Sequence, residues 1–172
     1  MIMRPGQQLL LPANPLFIWG SLVVALLIDM LPFAQAAWMP QLVAVLLAFW
    51  IVHQPRRIGV ITAFVFGLAT DVHQAGLLGQ HALAYGILGF FAVTIHRRLL
   101  WFAVHQQALQ VLPLFVLAHA VSVTVRLLAG GSWPGWPLLL APVLEAALWL
   151  PASVLLLAPQ RRAPDPDENR PL

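Results

Sequence analysis

Five residues in the apolar body of this chain carry groups able to do chemistry: Asp29, Asp71, His119, Arg126 and Glu145. Ionisable groups inside apolar segments are rare and point to function by default. Asp29 ends the first apolar run and Asp71 the third, so the two carboxylates share one side of the molecule. Their approach would make an intramembrane acid pair, although nothing flanking them supports that chemistry. Glu145 lies about eight residues into the last run, roughly 12 Å deep, and His119 lies roughly 15 Å down the antiparallel run before it. These depths let Glu145 meet His119, and Arg126, reaching downward, could approach the same carboxylate. Glu145 held by one of these two is the expectation. The blander readings are a protonated Glu145 or one facing a partner protein, and an Arg126 that snorkels to headgroups.

Other chemistries find less support. The six histidines (His53, His73, His81, His96, His105, His119) include no pair at i and i+4 that would converge on a metal. There is no cysteine, which excludes thiolate nucleophiles and disulfides. No Gly-x-Ser-x-Gly elbow is present. Gly76 and Gly79 bracket the turn after Asp71 and suit a tight reversal rather than a phosphate cradle. Catalysis, a cofactor and a metal are therefore not expected.

The elements that must position these residues are set by composition. The chain has 172 residues, 60% hydrophobic and 9% charged, with a mean hydropathy of +0.84. A soluble domain carries about 25% charged residues, so the solvent for most of this chain is lipid. All nine cations are arginine, and the net charge is only +3. The pI of 11.1 does not imply nucleic acid, because the arginines lie in pairs between apolar runs rather than on one basic face.

Six apolar runs follow one another: Leu16 to Leu31, Gln41 to Val52, Ile58 to Thr70, Gly76 to Ile95, Leu99 to Leu128 and Pro137 to Leu157. The first could be mistaken for a signal peptide, but no small-residue cleavage site stands out and apolar runs continue throughout the chain, so it is read as retained. The second and third are short for a core of roughly 30 Å. With the amino terminus and Arg4 in the cytoplasm, six crossings put Arg56 and Arg57, Arg97 and Arg98, and Arg161 and Arg162 on the cytoplasmic side. The opposite loops hold no arginine, so every loop obeys the positive-inside rule. The expected architecture is all-α: a six-helix transmembrane bundle with both termini cytoplasmic. Residues 1–15 form a cytoplasmic segment, 16–157 the membrane domain and 158–172 a disordered cytoplasmic tail. Stripes of small residues (Gly59, Ala63 and Gly67 before Asp71; Ala82, Gly86 and Gly89) fit close packing of helices 3 and 4, or a docking face for another membrane protein.

Several stretches together resemble the bacterial rod shape-determining family MreD. They are Pro40 through Trp50, Pro55-Arg56-Arg57, the helix through Gly67 to Asp71, Gly76, Gly79 and Ala82-Leu83-Ala84-Tyr85. Arg97-Arg98 leading to Gln106-Gln107-Ala108-Leu109, and Leu148-Trp149 with Pro151 nearby, complete the set. Leu150 separates Trp149 from Pro151 where relatives have Trp followed directly by Pro, a departure from the pattern. The resemblance spans about Leu16 to Arg162. It implies a non-catalytic scaffold of the cell-elongation machinery in the bacterial inner membrane. Its implied partner is MreC and, through that complex, the polymerase RodA with its transpeptidase and the MreB filaments; homo-oligomers fit as well. The implied fold is similar to the six-helix substrate-binding subunits of vitamin transporters. That likeness supplies the alternative function, a small-molecule binding subunit with a polar cavity on the outer side near Asp29, Asp71, His73, Gln74, Gln80, Trp133 and Trp136. Candidate contact or packing positions are Pro55, Arg56, Arg57, Gly67, Asp71, Gly76, Gly79, Arg97, Arg98, Gln106 and Gln107. The arginine pairs also suit anionic lipid or acidic partner surfaces.

Overall fold

A computed structural model describes residues 13–32, 36–74 and 77–160. Arg4, Gly76, Arg161, Arg162 and nearly all of the two expected cytoplasmic segments lie outside them. Among the described residues there are six α-helices and no strand: α1 (Pro15–Asp29), α2 (Leu42–His53), α3 (Val60–His73), α4 (Gln80–Leu99), α5 (Val104–Leu128) and α6 (Leu140–Leu157). Successive helices alternate in direction. One end of the bundle therefore gathers Asp29, Gln41, Asp71, Gln80 and Arg126, and the opposite end gathers Arg57, Arg97, Arg98 and Gln107. These are called the acidic end and the arginine end below.

Helix α2 is the hub. It packs against α1, α4 and α6, and nine of its twelve residues are buried, from Val43 through Val52 with little interruption. That is why its sequence is apolar all round rather than amphipathic. Its 12 residues rise about 18 Å, less than a bilayer core of roughly 30 Å.

In lipid, apolar surface gives helices no reason to associate; close van der Waals contact does. The α3–α4 pair shows it. A Cβ at Gly67 would stand 2.5 Å from Ala82 Cα and 2.5 Å from the His81 carbonyl oxygen, so only glycine admits α4 there. A Cβ at Gly89 would stand 3.2 Å from Ala63 Cβ in the same seam. Internal packing thus uses Gly67, Ala63 and Gly89, whereas a Cβ at Gly86 would meet only Phe64, at 3.8 Å, and one at Gly59 nothing within 4 Å.

Trp50 and Trp149 are fully buried, and each indole N–H is satisfied: Trp50 donates to Ser21 Oγ at 2.9 Å and Trp149 to Gln107 Oε1 at 3.2 Å. Large apolar side chains on the other faces are open, including Ile61 at 81% and Trp101 at 90% exposure. Exposure on that scale would be a liability in water and is ordinary in lipid. Two stretches, Val104–Leu128 and Trp136–Gln160, are individually long and apolar enough to cross a membrane. The expected fourth run starts later than its hydropathy suggests, at Gln80, because Gly79 adopts φ +102° and the first turn is built on Asp71. The fifth run, expected from Leu99, opens with a turn at Leu100–Phe102, and its α-helix begins at Val104.

Candidate functional site

A helix leaves its first four N–H groups without intrahelical partners, and in an apolar surrounding each orphan costs free energy. Helix α2 begins at the acidic end with no capping side chain of its own. Its orphans are taken by carboxylates from other helices. Asp29 Oδ1 accepts from Leu42 N–H at 3.0 Å and Asp29 Oδ2 from Val43 N–H at 2.8 Å. Glu145 Oε1, from α6, accepts from Gln41 N–H at 3.0 Å. The carboxylate oxygens also face the positive end of the helix dipole.

Helix α4 is started in the same way. Asp71 Oδ2 accepts from Gly79 N–H at 2.9 Å and Ala82 N–H at 3.2 Å; Oδ1 accepts from His81 N–H at 2.8 Å. His81 Nδ1 lies 2.8 Å from the same Oδ1. One carboxylate thus collects four donors. Gly79 supplies the left-handed conformation that turns its N–H toward Asp71.

A hydrogen-bonded chain links the two capped helices. Tyr85 donates its hydroxyl proton to Gln41 Oε1 at 2.9 Å. Gln41 Nε2 faces His81 Nε2 at 3.3 Å, and an amide nitrogen can only donate. His81 Nε2 is therefore the acceptor, and the ring proton is on Nδ1, donated to Asp71. Across the layer, His119 Nε2 lies 2.9 Å from Glu145 Oε1. Glu145 Oε2 is buried with no hydrogen-bond partner among the described residues. Gln80 Nε2 donates to Ser122 Oγ at 2.8 Å, joining α4 to α5.

This layer borders a cavity of about 150 Å³ that is open on one side. Asp29, Gln41, Gln80, His81, His119 and Arg126 contribute to its wall. Of the residues expected around an outer polar cavity, Asp29, Gln74 and Gln80 line it; Asp71, His73, Trp133 and Trp136 do not. Chemically, the carboxylates act as acceptors for backbone and histidine donors. No group of three or more His, Asp or Glu that could hold a metal occurs among the described residues.

A family model described as rod shape-determining protein MreD matches residues 12–158. The chain belongs to the MreD family. This agrees with the resemblance carried by its motifs and gives it a role in rod-shape determination as a membrane protein; the family is not a known enzyme family. No solved structure matches the chain.

The remaining candidate positions of this MreD-family chain divide into two groups. Gly67, Asp71 and Gln107 are buried and spent on packing or internal hydrogen bonds. At the arginine end, Arg56, Arg57, Arg97, Arg98 and Gln106 are exposed and Pro55 is half-buried. Arg57 Nη1 donates to the Ala13 carbonyl at 3.0 Å, tying the α2–α3 turn to the chain ahead of α1. Gly79 begins α4, and Gly76 lies outside the described residues. Sequence reasoning did not place Gln41, Tyr85 and His81 in the site. Their only signal was a run of polar residues, Gln41 and Gln80-His81, at the starts of two apolar helices.

Proposed function

We propose that this MreD-family chain is a non-catalytic scaffold of the cell-elongation complex. It crosses the inner membrane six times with both termini in the cytoplasm, binds MreC, and through it couples MreB filaments to peptidoglycan synthesis by RodA and its transpeptidase. The observation that carries this reading is how the three intramembrane carboxylates are used. Asp29, Asp71 and Glu145 each hold the amino-terminal turn of a helix, which is the work of a rigid framework. Family membership adds the shape-determining role. The exposed arginine pairs at the opposite end, together with Gln106, offer a polar surface for cytoplasmic or juxtamembrane partners.

Co-expression with tagged MreC, followed by detergent extraction and affinity capture, tests this. A stable stoichiometric complex is expected. A chain that ignores MreC and retains a tightly bound small molecule would replace the scaffold by the transporter-subunit alternative, which the cavity at the acidic end favours.

A further inference from the structure

Arg126 is unlike the other cations. Among the described residues it is the one arginine at the acidic end, and its guanidinium has neither a hydrogen-bond nor an ion-pair partner there. None of the three carboxylates nearby lies within ion-pair distance of it. Asp29 holds two backbone N–H groups, Asp71 four donors, and Glu145 a backbone N–H and His119. Yet Arg126 lines the 150 Å³ polar cavity. It also lines an adjoining one of about 320 Å³, which shares Gln74, Gln80 and Arg126 with the first.

The uncommitted hydrogens around this cleft are donors. Ser122 Oγ already accepts from Gln80, so its own proton is free to be donated. Gln80 keeps a second amide hydrogen, and Gln74 lines both spaces. An unpaired guanidinium flanked by hydroxyl and amide donors is the receptor chemistry of an oxyanion. The smaller cavity has room for one tetrahedral oxyanion with a few waters, and the adjoining one for whatever that group is attached to. Exposed Trp38, Trp133 and Trp136 mark the same end of the bundle, as tryptophans do at a headgroup level.

We propose that the cleft at Arg126 binds a phosphate oxyanion, either the phosphodiester of an anionic lipid headgroup or free phosphate. The inference does not depend on the scaffold reading. The test uses the full chain in two settings. In nanodiscs of phosphatidylcholine with or without phosphatidylglycerol, thermal unfolding and lipid retention by native mass spectrometry are measured. In neutral detergent, the chain is titrated with inorganic phosphate.

Stabilisation by at least one probe is expected. Arg126→Gln should weaken it at least about tenfold, the loss of one charge-assisted contact. Arg126→Lys should keep part of the effect, and Thr124→Val, on the same helix but outside both linings, all of it. If Arg126→Gln does not fold, Ser122→Ala serves instead, with a smaller loss. A response to phosphatidylglycerol alone assigns the site to lipid; a response to inorganic phosphate alone assigns it to a soluble anion. No response to either probe, or an undiminished response in Arg126→Gln, overturns the proposal.

Discussion

Replacing Asp71 by asparagine is the sharpest test of the capping architecture. The buried carboxylate accepts three backbone N–H groups and one imidazole N–H. Asparagine keeps one carbonyl oxygen, which can still take the pair from His81. Its amide nitrogen, however, must then face the N–H groups of Gly79 and Ala82, donor against donor. Two donors, one buried and one half-buried, lose their acceptor at about 1–3 kcal/mol each, and partial relaxation of the turn leaves a net loss of about 3 kcal/mol. For a chain of this size each kcal/mol shifts the midpoint by about 2–4 °C, so a fall of roughly 6–12 °C is expected. The assay is thermal unfolding of the detergent-solubilised chain as a fluorescent fusion, read by size-exclusion chromatography after heating. Asp71→Ala should be at least as damaging, because it also strands His81. A midpoint for Asp71→Asn within about 2 °C of wild type would refute the claim that this carboxylate holds the start of α4.

Two further perturbations follow from particular contacts. Gly67→Ala drives a Cβ into the α4 backbone at 2.5 Å and should cost about 3 kcal/mol or prevent folding. Gly86→Ala, whose nearest neighbour would be 3.8 Å away, should leave the unfolding midpoint essentially unchanged. Glu145→Gln preserves an oxygen for Gln41 N–H and His119 and should cost less than about 1 kcal/mol, whereas Glu145→Leu strands both donors and should cost about 2–4 kcal/mol in the same thermal assay.

How much of this could be read from the sequence depends on the range of each interaction. The helices were legible because apolar runs and Pro or Gly breaks are local signals. The depth argument concerns only distance from the loop joining α5 and α6, and His119 Nε2 and Glu145 Oε1 stand 2.9 Å apart. Capping across helices was not legible. Asp29 reaches 13 and 14 residues along the chain to Leu42 and Val43, and Glu145 reaches back 104 residues to Gln41. An N-cap search looks at the residue just ahead of a helix, and Gln41 and Gly79 in those places carry no side-chain cap. The shortness of α2 read as a deficit against bilayer thickness; its burial by α1, α4 and α6 supplies the reason. Pro55-Arg56-Arg57 and Arg97-Arg98 read as topology signals, and their exposure at one end is compatible with that role.

The absence of cysteine makes one measurement especially clean. In living cells, single cysteines introduced by Arg97→Cys and by Ser132→Cys can each be challenged with a membrane-impermeant maleimide. Six crossings with the arginine pairs inside predict that Ser132→Cys is labelled in intact cells and Arg97→Cys only after permeabilisation. Labelling of Arg97→Cys from outside intact cells would contradict the topology on which the scaffold rests.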